Sequence, residues 1–187
     1  LEIIMKKSYL LRAVRLCILV LFSSSVHALT ITPADCGDGS GGTLVCETGT
    51  ETAESVIRAH IESTYGVTEL YKMNVGGGEE GSFAGSYSTS FDNTPTDPED
   101  AWIQYDGEPS ISCPTCYLLV KDGNHNPAWY LFNIDSWNGM DDIHLDGFWP
   151  NQGAISHVSI YAGEVPVPAA VWLFGSALGL LAWVRRR

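Results

Sequence analysis

Residues 169–184 form an unbroken uncharged stretch, followed at once by Arg185, Arg186 and Arg187, and this pattern most constrains what the chain of 187 residues can fold into. A helix built from it is apolar around its whole circumference, so it cannot lie on a water-exposed surface, and nothing else in the chain could cover it. Its 16 residues make a helix about 24 Å long, a little short of a hydrocarbon core of about 30 Å. Trp172 and Trp183 stand near its two ends, where indoles suit the membrane interfaces, and three arginines suit a cytoplasmic end. The expectation is a transmembrane helix at about 169–184, which takes these residues out of any globular core.

The other end is also set apart. Met5-Lys6-Lys7 reads as a better start than Leu1. Lys6, Lys7, Arg12 and Arg15 make a positive region, residues 16–22 an apolar one, and Val26-His27-Ala28 a small-residue cleavage pattern. Residues 1–28 are therefore expected to be a signal peptide cut by signal peptidase after Ala28. Cys17 has no lipobox before it, which argues against a lipoprotein.

What remains, about 29–163, is the ectodomain. Arg58, Lys72 and Lys121 are its only basic residues, and through Glu164 they face 21 acidic ones, a formal charge of −18. Such a domain repels nucleic acid and anionic membrane surfaces, so a DNA or RNA role is excluded. Its four cysteines, Cys36, Cys46, Cys113 and Cys116, are an even number behind a signal peptide and read as two disulfides, with local pairing closing two small loops. Zinc binding and redox chemistry at Cys113-Pro114-Thr115-Cys116 are the alternatives.

The pattern between the ends is mostly β. Residues 29–32, 43–46, 70–75, 83–91, 102–105, 110–112, 117–121, 129–134, 143–145 and 155–161 read as short strands, with Gly, Asp, Asn and Pro in the turns. Residues 117–134 read as a hairpin. One helix is expected at 52–65, with Val56, Ile57, His60, Ile61 and Thr64 on one face and Gly66 as its stop. This composition implies an antiparallel β-sandwich or jelly roll with one short helix.

Val165-Pro166-Val167-Pro168-Ala169, then the apolar segment, then the arginines, resembles the PEP-CTERM sorting signal of Gram-negative bacteria in its Val-Pro-Leu-Pro-Ala variant. Val167 stands where the commonest form has Glu. The resemblance, covering residues 164–187, implies recognition by a membrane protease, an exosortase. Residues 117–123, 126–132, 136–139 and 147–161 are also similar to the ectodomains of many exported PEP-CTERM proteins. That likeness implies a protein that transits the inner membrane to the cell surface or extracellular matrix, often in a producer of exopolysaccharide. It carries over no catalytic residue.

Candidate sites are few. His60, His125, His144 and His157 show no metal-ligand spacing, and no nucleophile elbow, phosphate loop or dinucleotide fingerprint occurs. Asp106 and Glu108 flank Gly107 as a carboxylate pair, which serves a glycosidase only across a cleft. Asp92, Asn93, Asp97, Glu99 and Asp100 offer hard oxygens on one loop, and Asp141, Asp142 and Asp146 on another. Calcium is the ion these would take, with Asp92, Asp97 and Asp100 as ligands, against the alternative of solvated loops. Trp102, Trp129, Trp137 and Trp149, with Tyr105, Tyr130 and Tyr161, either fill the core or form a sugar-stacking platform. Trp137 and Trp149, in turns, are the two expected to be exposed. The reading is a non-enzymatic surface or matrix component, with an exopolysaccharide-binding module as the alternative and a secreted hydrolase behind it.

Overall fold

A computed structural model of the chain describes residues 28–92, 97–150 and 153–163. The expected signal peptide, sorting motif, membrane helix and arginine cluster lie outside these residues, apart from Ala28. No helix among the described residues is long and apolar enough to cross a membrane.

Among the described residues the fold is mainly β, with two sheets and one α-helix. In chain order the elements are β1 (Leu29–Ile31), a 3-10 turn (Pro33–Asp35), β2 (Cys36–Gly37), β3 (Leu44–Gly49), α1 (Glu54–Tyr65), β4 (Val67–Asn74) and β5 (Glu79–Glu80). Then come β6 (Tyr87–Asp92), β7 (Asp100–Tyr105), β8 (Cys116–Asp122), β9 (Trp129–Asn133), β10 (Ile143–Leu145) and β11 (Ile155–Gly163). The smaller sheet runs β1-β10-β7-β6 and the larger β2-β3-β9-β8-β11-β4-β5. All ladders are antiparallel except β1 with β10 and β2 with β3.

β8 explains the layering. Leu118 and Val120 project between the sheets with Phe132, Val158 and Ile160, against Ile103, Ile143 and Leu145 of the smaller sheet. Leu119 points the other way, and with Leu131 and Tyr161 it meets Ile57 and Ile61 of α1. A strand apolar on both faces needs a cover on each side, and the smaller sheet and α1 supply them. Each such side chain contributes about 1.5–3 kcal/mol on burial. β8 and β9 form the expected hairpin, closed by Asp122 N–H donating to Ala128 O at 2.9 Å.

Four expectations need correction. The helix begins at Glu54 with Ala53 as cap, and the Glu51 carboxylate accepts the N–H groups of Thr52 and Ala53. Its end is as expected, with Gly66 left-handed (φ 65°) and its N–H bonded to Glu62 O. The buried face, however, carries Ile57 and Ile61 without Val56, which is 52% exposed. The cause is charge on the strand beneath: Arg58 reaches Glu69 at 2.6 Å, and Lys72 Nζ donates to Glu54, so the sheet draws the 54/58 side of the helix inward. Residues 83–86 are turns, not strand, because Phe83 N–H bonds across to Leu70 O and Ser86 N–H to Phe83 O. Residues 110–112 join no ladder, since the Ile111 N–H is taken by the Tyr87 hydroxyl at 2.7 Å.

Tyr87 ties three segments together. Its hydroxyl also donates to Gly139 O at 2.7 Å, deep enough that burial pushes its pKa up to about 12. Tyr87→Phe leaves both buried backbone groups without their partner, and urea unfolding is expected to show a loss of about 2–3 kcal/mol. A loss below about 0.5 kcal/mol, the range of a neutral surface change, contradicts this role.

Arg58 and Lys72 pair with Glu54 and Glu69 at α1's underside, and Lys121 is buried on β8. Burial opposes ionisation of Glu54, but the hydrogen bond and charge of Lys72 outweigh it and hold its carboxyl below the usual range. His157, 4% exposed among these cations, is pushed down to about 4, first by burial and then by Lys72. The unfolded chain takes up this proton below pH about 6.5, the folded chain only below about 4. The stability at stake is fully present above 6.5 and is lost as pH falls towards 4, by about 3 kcal/mol. Urea titrations of His157→Gln are expected to show a shallower decline over that window than the parent, and equal slopes contradict the assignment.

Candidate functional site

A cleft lined by both aromatic and polar groups lies at one end of the sandwich and holds about 520 Å³. Four separate segments build it: the turn after β1 (Thr32), the β8–β9 loop (His125, Asn126), β9 (Tyr130), and the run from β10 to β11 (Asp146, Trp149). Thr32 is fixed by Asp35, whose Oδ2 accepts from both its N–H and its hydroxyl, at 2.7 and 2.8 Å. The Cys36–Cys46 disulfide follows directly and ties this wall to β3. Tyr130 and Trp149 rings lie 5.5 Å apart, backed by Phe148. Trp149 is the one non-glycine described residue with positive φ, 51°, a conformation costing of order 1–3 kcal/mol that surrounding contacts must hold. Its indole N–H donates to Pro127 O at 2.8 Å.

The expectation that Trp137 and Trp149 are exposed is overturned: they are 5% and 8% exposed. Trp137 donates to Asp141 O at 2.7 Å and packs 5.8 Å from Tyr87, so it plugs the core. Trp149 packs on Phe148 and Tyr130 for the same reason, yet it still borders the cleft. Trp102, on the open face of the smaller sheet, stacks on His144 at 4.1 Å.

The expected local disulfides are both present, Cys36–Cys46 and Cys113–Cys116, so none of the four cysteines is a thiolate that could bind zinc. Two disulfides suit an oxidising, extracytoplasmic compartment. Asp92 pairs in register with Asp100, and Asp100 Oδ1 accepts the Gly147 N–H at 2.7 Å. Asp97 is exposed, and Asn93 lies outside the described residues. Among the described residues no group of three or more His, Cys, Asp or Glu is placed to hold a metal ion. Asp106 and Glu108 are exposed and do not border the cleft.

The residue that sequence reasoning missed is His125. Its Nδ1 lies 2.8 Å from Oδ2 of Asp122, whose side chain is 6% exposed, while the imidazole is 40% exposed and borders the cleft. The signal available was Asp122-x-x-His125 within a turn, which closes the pair locally. Asp146 is exposed beside it, and its backbone N–H bonds to Ile31 O.

The chain matches no protein-family model, no curated protein and no solved structure. The cleft's shape alone predicts one consequence. Replacing Cys36 and Cys46 by Ser frees a ten-residue separation, and denaturant unfolding is expected to report a loss of about 2–3 kcal/mol. No loss contradicts a tethering role for that bond.

Proposed function

We propose that this chain is an exported cell-surface or matrix protein, non-enzymatic, whose ectodomain binds a saccharide in the cleft at the sandwich end. Export rests on the signal-like residues 1–28, on the PEP-CTERM-like residues 164–187 and on the two disulfides. In this reading signal peptidase removes the leader and an exosortase handles Val165, Pro166, Val167, Pro168 and Ala169. The inner membrane holds the apolar segment in transit, with Arg185–187 on the cytoplasmic side. The cell's own exopolysaccharide is the natural ligand for a protein delivered there.

The observation that carries the binding reading is the juxtaposition of two aromatic rings, Tyr130 and Trp149, with the exposed polar side chains Asn126 and Asp146 and the imidazole of His125. Aromatic groups pack on the apolar face of a pyranose while a few convergent polar groups bond its hydroxyls. This arrangement supports a binding reading, with the carboxylate pair Asp106 and Glu108 standing elsewhere.

The test is retention of the mature protein in polysaccharide gels. Asn126→Ala and Asp146→Ala alter exposed side chains and are expected to weaken retention about tenfold, the effect of about 1.4 kcal/mol. Trp102→Ala, on the other sheet, is expected to leave it unchanged. Loss only in Trp102→Ala moves the site to the open sheet, and no retention by the parent protein overturns saccharide binding altogether.

A further inference from the structure

We propose that Asp122 and Gly153 are positioning residues that hold His125 as a hydrogen-bond acceptor, and that the cleft thereby selects a neutral saccharide over an acidic one. The proposal rests on the saccharide reading of the cleft. It begins with the end of β8. Asp122 is fixed by its main-chain bond to Ala128, and its Oδ1 accepts the Asn124 N–H at 3.1 Å. Its Oδ2 faces Nδ1 of His125 at 2.8 Å. Both atoms are shut off from solvent, and neither meets hydrogen-bond geometry with any described group, the other included, so the 2.8 Å contact is a close electrostatic approach. A carboxylate oxygen and a bare imidazole lone pair repel at that distance, so the proton of the neutral ring belongs on Nδ1. The opposite edge of the ring, carrying Nε2, is then a lone-pair acceptor on the cleft side, matched to a sugar hydroxyl.

Gly153 makes the pair sterically feasible. A Cβ at this position would stand 2.1 Å from Asp122 Oδ2 and 2.7 Å from His125 Nδ1. A side chain here must displace the Asp122 carboxylate or the His125 ring, so glycine leaves their close approach undisturbed.

Charge sets the ligand class. Asp146 lines the cleft, Asp122 stands behind His125, and Asp35 holds Thr32. The nearest cation, Lys121, is 6% exposed and donates to Asp122 O from within the sheet. Arg58 and Lys72 are engaged at α1. A uronate or other acidic sugar brings its charge against these carboxylates with no lysine or arginine to meet it, which is discrimination by repulsion.

Two readouts test this on the mature protein. Long-range ¹H–¹⁵N spectra of ¹⁵N-histidine-labelled protein, at a pH where the ring is neutral, are expected to show the Nδ1–H form for His125. Asp122→Ala is expected to return it to the Nε2–H form that free imidazole favours. An Nε2–H ring in the parent protein overturns the positioning claim, whatever binds. In gel retention, a neutral glucan is expected to bind at least tenfold better than a polyuronate, and His125→Ala and Gly153→Ala to weaken glucan binding about tenfold. Tighter polyuronate binding overturns the ligand class. An Nδ1–H ring in a protein that retains neither polymer supports the positioning and overturns the saccharide reading.

Discussion

The need to bury β8 on both faces is the constraint from which the rest follows. Leu118 and Val120 demand one apolar layer and Leu119 another, so a single sheet with one wet face cannot satisfy the strand. The smaller sheet answers the first demand and α1 the second. The helix is too short and too sparsely apolar to be held by Ile57 and Ile61 alone, and the charged seam of Glu54, Arg58, Glu69 and Lys72 completes its attachment. That seam takes up Arg58 and Lys72, and Lys121 is buried on β8, which leaves the rest of the acidic domain's surface without lysine or arginine.

The same layering leaves a sandwich end where four segments meet with no other element among the described residues lining the cleft. Aromatic rings displaced from solvent by packing, Tyr130 and Trp149, become one wall of the cleft, and a turn carrying His125 becomes another. The left-handed backbone of Trp149 is held by an indole hydrogen bond and ring contacts. An aromatic wall anchored in this way beside exposed amide and carboxylate groups suits reversible recognition, since a preformed site needs little ordering on binding.

Local chemistry made part of this legible in the sequence. The hairpin over residues 117–134 was readable because its two apolar runs flank a Gly/Asn/Pro turn, and the helix because Gly66 stops a stretch of helix-forming residues. The even cysteine count behind a signal-like leader pointed to two disulfides, and the local pairing among the options proved to be the one formed. The helix face was not readable, because Glu69 and Lys72, which rotate it, lie on another strand. Trp137 and Trp149 misled because each sits beside turn residues, Asn138-Gly139 and Pro150, while the rings that help bury them, Tyr87 for Trp137 and Tyr130 for Trp149, come from distant segments. The cleft itself has no linear signature, being assembled from residues as far apart as Thr32 and Trp149.

Chemical-shift mapping of the mature protein during titration with a neutral oligosaccharide tests the central claim most directly. The account predicts saturable shifts concentrated at the Trp149 indole, Tyr130, Asn126 and Thr32. Shifts centred on Trp102 and His144, or no shifts at saturating sugar, would contradict it.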